Sequence, residues 1–187
     1  MIDFGAKFDA GLSYRDFLEK YGSDEHRRRW DEFHQQVGLT DGQAALLRDF
    51  KREMKVLVLA GTWCGDCVNQ CPILDHFAAH NETIQIRYLD RDDNADLAVE
   101  LSVCGGQRVP AIVFLNEDNQ PCGRCGDRTL SKYRQMAADQ IGAACPTGLV
   151  APERTLTENV VQDWLNEFER AQLIMRLSPR LRQKHGD

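Results

Sequence analysis

A chain of 187 residues can bury one core of ordinary size with an elaboration, and two full domains would be cramped. Hydrophobic residues at 42% and charged residues at 28% are globular values, and no low-complexity tract is long enough to suggest extended disorder. A net charge of −6 offers no basic surface for nucleic acid, and no apolar run reaches membrane-spanning length, so neither nucleic-acid nor membrane partners are expected.

In chain order, the first fifty or so residues read as helices joined by short turns. Ser13 can cap a helix running to about Tyr21. Ser23 can cap a second with Trp30, Phe33 and Val37 at helical spacing, and Thr40 a third with Ala44, Leu47 and Phe50 facing inward. Val56-Leu57-Val58-Leu59-Ala60 suits a buried central strand, which Gly61-Thr62-Trp63 ends. A helix should start near Cys64 and reach about Ala79, bent where Pro72 removes a backbone donor. Ile84 to Leu89 reads as a strand, Asn94 to Leu101 as a helix, and Ala111 to Leu115, after Pro110, as a strand. Glu117-Asp118-Asn119-Gln120 suits a hairpin turn into a short strand near Cys122 to Cys125. Leu130 to Ile141 is helical, and Thr157 opens a last helix burying Val160, Val161, Trp164, Leu165 and Phe168. The tail from Arg176 to Asp187, with Arg176, Arg180, Arg182 and Lys184, reads as a solvated basic segment.

Strand and helix alternating, then a hairpin and a helix, predict an α/β fold with a central mixed sheet flanked by helices. The expected divisions are a helical extension over 1–53 packed on the core, the α/β domain over 54–143, and a loop, long helix and basic tail over 144–187. Met1 to Lys7 shows neither the basic start nor the apolar stretch of a secretory signal, so a cytoplasmic location is expected.

Seven cysteines are an odd count, which in a reducing compartment points to chemistry or metal rather than a disulfide framework. Cys64 falls in the first turn of a predicted helix, among unpaired backbone donors and at the positive end of the helix dipole. Both effects stabilise a thiolate, so Cys64 is the expected nucleophile, the more acidic and more exposed thiol. Cys67, three residues on along the same face, is the expected resolving thiol. The C-x-x-C spacing alone also supplies half of many zinc sites. Cys71 suits core packing. Cys122 and Cys125 leave three readings open: incidental placement, a second redox pair, or half of a metal site with Cys145 or Cys104. On a regular strand residues three apart point to opposite faces, so that pair needs a bulge, which Gly123 would permit. His76 and His80 read as a solvated helix face, and Asp90, Asp92 and Asp93 as turn-forming and capping residues.

Trp63-Cys64-Gly65-Asp66-Cys67 resembles the WCGPC active-site motif of the thioredoxin superfamily, with Asp66 in the place of proline. Pro72, five residues past Cys67, is similar to the family's helix-kinking proline. Arg108-Val109-Pro110 before an apolar strand is similar to its cis-proline loop, and Gly126 after the hairpin to its glycine beside the active site. The resemblance covers about Lys55 to Ile141; the helical extension and WCGDC are more similar to a bacterial thioredoxin-like subgroup than to the compact housekeeping protein. It implies a thioredoxin-like fold, a cis Val109–Pro110 bond, substrate docking at Trp63, Val109, Pro110 and Gly126, and a redox pair modulated by Gly65 and Asp66. The implied activity is reduction of protein or small-molecule disulfides by dithiol exchange, with no bound cofactor. Electrons would come from a separate reductase, flavin-dependent and drawing on NADPH.

One departure concerns Val58, which occupies the position of the family's buried aspartate, six residues before the first cysteine. Asp66 is then the nearest candidate base in sequence. It could also disfavour the Cys64 thiolate by repulsion, which predicts a reducing enzyme, or merely complement the helix terminus. The rival to an enzyme is a non-catalytic adaptor or metal-binding module on the same fold, using Cys122 and Cys125.

Overall fold

The structure is a computed structural model that describes residues 2–141 and 155–187. Four capped helices open the chain: α1 (Phe4–Ala10), α2 (Tyr14–Tyr21), α3 (Asp24–Gln36) and α4 (Asp41–Arg48). The side chains of Asp3, Ser13, Ser23 and Thr40 accept from the amides of Ala6, Asp16, His26 and Gln43, satisfying a donor that each helix start would leave orphaned. Three of these helices follow the predicted caps; α1 adds a fourth, whose start signal is Asp3.

The sheet comprises β1 (Met54–Ala60), β2 (Ile84–Asp90), β3 (Ala111–Asn116) and β4 (Pro121–Cys125), in the order β2-β1-β3-β4. β1 runs parallel to β2 and antiparallel to β3, and β3 pairs antiparallel with β4, so the sheet is mixed as predicted. The remaining helices are α5 (Gly65–Val68), α6 (Cys71–His80), α7 (Ala95–Glu100), α8 (Leu130–Ile141), α9 (Leu156–Leu177) and α10 (Pro179–His185). On one face Phe114 of β3 meets Phe168 of α9, which in turn meets Phe77 of α6, each pair edge to face at 5.1 Å. On the other face Lys55 and Arg87 lie over the Phe8 ring of α1. At the β2 edge Leu12 bridges Tyr88, and Tyr14, Phe17, Trp30 and Tyr88 form an aromatic cluster that joins the opening helices to the sheet. One continuous core runs from Phe4 to Leu181.

Three expectations need correction. The helix after Cys64 is two helices, because Gln70 leaves helical geometry (φ −131°, ψ −45°) and the second helix restarts with Pro72 in its first turn, where a missing donor costs nothing. The basic tail is folded: Ser178 caps α10, Leu181 is buried, and Arg180, Lys184 and His185 pair with Glu117 and Asp118 of the β3–β4 turn. Finally, His76 packs half-buried against α3, its ring 4.1 Å from that of His34 and its Nε2 2.9 Å from the His34 carbonyl oxygen.

Candidate active site

β1 delivers the chain to Gly61, where a Cβ would lie 2.7 Å from the Trp63 indole, so only glycine lets the ring fold back over the turn. The Cys64 amide closes that turn by donating to the Gly61 carbonyl oxygen at 3.0 Å. Thr62 is buried beneath it. Its carbonyl accepts from Trp30 Nε1 at 2.9 Å, and its hydroxyl donates to the Tyr21 carbonyl oxygen at 3.0 Å. The opening helices thus grip the loop that carries the motif. Trp63 itself stays 44% exposed, with the Arg91 guanidinium 4.5 Å above its ring.

Cys64 is the N-cap of α5 and partly exposed, whereas Cys67 is wholly buried. The Val109–Pro110 bond is cis, and the Cys64 thiol donates to the Val109 carbonyl oxygen at 3.4 Å. A Cβ added at Gly65 would meet nothing within 4 Å. The Cys64 thiol is pushed above its ordinary value, first by the adjoining Cys67 side chain and then by burial, against a downward pull from the Cys67 and Asp66 amides. Burial pushes Cys67 up as well. The expected net acidification of Cys64 is therefore absent from this dithiol geometry, in which the thiol bonds to Val109 and does not cap the helix. Two sulfurs this close ionise as a unit: the first thiolate accepts from its neighbour, and a second is opposed.

A chain of charges surrounds the pair. Asp66 Oδ2 is 2.6 Å from Arg128 Nη2, Arg128 Nη1 is 3.1 Å from Asp127 Oδ2, and Arg108 Nη1 is 3.2 Å from that same oxygen. Tyr133 donates to the other Asp127 oxygen. Burial pushes the Asp127 carboxyl up, but the bonds from Tyr133 and Arg108 and the Arg128 charge outweigh it and hold it below its usual range. Gln70, also buried, donates to the Asp66 and Asp127 carbonyl oxygens at 3.1 and 2.8 Å and accepts from Trp164 Nε1 at 3.1 Å. Asp66 is thus ion-paired with Arg128. Thr62, Gln70, Asp127 and Arg128 carry no spacing signal, and helical spacing marks Trp30 only as core; Asp127-Arg128 directly after Gly126 is the one local hint. Gly126 closes on Val103, whose Cγ2 would lie 3.2 Å from an added Cβ.

The other cysteines fall elsewhere. The β3–β4 ladder shifts register between Phe114 and Leu115, the bulge that the second pair needs, and the Cys122 thiol donates to the Phe114 carbonyl oxygen at 3.4 Å. Both thiols feel Arg170 of α9, and Cys125 also meets Glu167. Burial is the main cause that pushes Cys122 up to about 11 and Cys125 to about 12. Cys71 is buried in the core, Cys104 is exposed in a turn at φ 49°, and Cys145 lies outside the described residues. Among the described residues no group of three or more His, Cys, Asp or Glu side chains could hold a metal ion.

A mixed four-stranded sheet flanked by helices, with a C-x-x-C at the start of the helix after β1 and a cis-proline loop facing it, defines a thioredoxin-like fold. A family profile described as Thioredoxin matches residues 11–139, and the chain belongs to that family. The match takes in α2 to α4 as well as the sheet. A crystal structure of a protein of unknown function from Pseudomonas aeruginosa is similar, at 21% identity and a TM-score of 0.71, over 91% of this chain and 99% of that one. An HIV epitope-scaffold is similar at 20% identity and a TM-score of 0.69, over 90% and 99% of the two chains. No curated protein matches.

Proposed function

We propose that the protein is a thiol-disulfide oxidoreductase that reduces disulfides by dithiol exchange. The observation that carries this reading is the pairing of a partly exposed Cys64 at a helix start with a buried Cys67 behind it, opposite the Val109 carbonyl of a cis-proline loop. The Cys64 thiolate attacks one sulfur of a substrate disulfide, forming a mixed disulfide and releasing the first substrate thiolate. Cys67 then gives up its proton and attacks Cys64 Sγ; the Cys64–Cys67 disulfide forms and the second substrate thiolate leaves, so two electrons pass to the substrate. Trp63 flanks the entering segment, and Val109 and Pro110 dock it, the Val109 carbonyl being released as Cys64 loses its proton.

Restoring the dithiol requires two electrons from a separate reductase, and a reducing compartment such as the cytoplasm suits the cycle. Among the described residues no helix is long and apolar enough to cross a membrane. The direct test is trapping. A Cys67→Ser variant offered a peptide disulfide should accumulate a covalent adduct at Cys64, read by mass spectrometry. No adduct, or one confined to Cys122 or Cys125, would leave the adaptor reading in its place.

A further inference from the structure

We propose that Arg128 is the positioning residue that compensates Asp66 and so allows a carboxylate inside the C-x-x-C motif without its charge falling on the Cys64 thiolate. The inference rests on the exchange reading above. Asp66 sits between the two sulfurs in sequence, and its backbone amide points at Cys64. An uncompensated carboxylate there would oppose the negative charge that the nucleophile must carry. The Arg128 guanidinium reaches across from the β4–α8 turn to Asp66 at 2.6 Å, and both side chains are only 20% exposed, so solvent screens the pair weakly. Arg128 is itself fixed from behind by Asp127, whose side chain is 2% exposed and also holds Arg108, the residue before Val109. The chain Asp66–Arg128–Asp127–Arg108 therefore connects the motif helix, the β4–α8 turn and the cis-proline loop. Gln70 ties two of the same segments through their carbonyls.

The contact through which Arg128 would act on Cys64 is Asp66. A double-variant cycle separates charge compensation from mere support. Cys64 alkylation by iodoacetamide is followed against pH in four proteins: wild type, Arg128→Met, Asp66→Asn and Asp66→Asn/Arg128→Met, with Arg128→Lys as the conservative control. Arg128→Met should move the alkylation profile to higher pH and slow the reaction at neutral pH by about tenfold, the scale of one carboxylate at close range. Asp66→Asn, which keeps shape and leaves Arg128 in place, should move it the other way. The double variant should return to within about twofold of wild type, and Arg128→Lys should stay close to wild type.

The proposal is overturned if Arg128→Met leaves the profile in place, or if the double variant is as slow as Arg128→Met alone, which would make Arg128 a structural support. If Arg128→Met does not fold, Arg128→Gln, which removes the charge and keeps a polar side chain, takes its place in the cycle with the same expected and overturning results. Failure of the exchange reading looks different: wild-type Cys64 would then react no faster than Cys122 and would form no disulfide with Cys67, whatever the variants do.

Discussion

Two pairs of cysteines share one spacing and occupy opposite settings. Cys64 and Cys67 straddle the first turn of a helix, one partly open and one buried, with backbone amides aimed at the outer sulfur and an ion-pair network behind the turn. Cys122 and Cys125 lie on the edge strand, brought toward α9 by a bulge, where burial outweighs the Arg170 charge and pushes both thiols up, as the Cys67 side chain and burial push up Cys64. The spacing is shared; what differs is a helix start facing a cis-proline loop at the first pair and a bulged edge strand at the second.

The sharpest way to break this comparison is by substitution. Cys64→Ser should abolish reduction of insulin by dithiothreitol-recycled protein, a loss of at least about a thousandfold over background, because no second nucleophile can form the mixed disulfide. Cys122→Ser/Cys125→Ser should keep the rate within about twofold. Equal losses would erase the distinction.

The next effect concerns the support that the first pair has and the second lacks. Trp30 is fully buried and donates to the Thr62 carbonyl, so Trp30→Ala removes both packing and the bond that holds the motif loop. Urea denaturation should show a loss of about 3–5 kcal/mol. Trp30→Phe, which keeps most of the ring, should lose less and report the orphaned Thr62 carbonyl separately.

A third expectation is set by pH. With Cys122 pushed up to about 11 from an ordinary value of 9.0, its thiolate at pH 8 is about a hundredfold scarcer than in the unfolded chain. Alkylation of native Cys122 should therefore keep climbing about tenfold per pH unit between about pH 9 and 10 and level off only beyond about 11, while the urea-unfolded protein levels off from about pH 9 upward. The linkage has a definite sign: the folded thiol holds its proton longer, so its contribution to stability is complete below about pH 9 and is lost as pH rises toward 11. Stability rising over that window would contradict the burial.

The smallest effect belongs to the tail. Lys184 is 47% exposed on its side chain, so Lys184→Ala should cost far less than Leu181→Ala, which, in the core, should cost about 2–5 kcal/mol. A tail that is solvated, as its charges alone suggest, would show neither.

What the sequence made legible follows from the range of the interactions involved. Caps at Ser13, Ser23 and Thr40 act within three residues, and the apolar run at Val56 reads as a central strand from its own composition; both are local and both are met in the structure. The thioredoxin-like fold and the positions of Cys64, Cys67 and Pro110 follow from a motif and its neighbours. The Arg128–Asp66 pair was illegible because it depends on a turn folding back onto Asp66 from far along the chain. The tail failed for the same reason, since Glu117 and Asp118 meet Lys184 only after α9 has crossed the sheet. Pro72 was read as bending one continuous helix, but the helix breaks at Gln70, whose side chain is held by Asp127 and Trp164, both remote in sequence, as well as by Asp66 one turn back.

The central claim is tested most directly by equilibrating the protein in a series of thiol-disulfide redox buffers, alkylating the free thiols and mapping each cysteine by mass spectrometry. The account predicts that Cys64 and Cys67 oxidise together, as one two-electron couple near the thioredoxin value of about −270 mV, while Cys122 and Cys125 remain alkylatable after denaturation. A Cys64–Cys67 disulfide that never forms, with Cys122 and Cys125 as the only pair to respond, would contradict it.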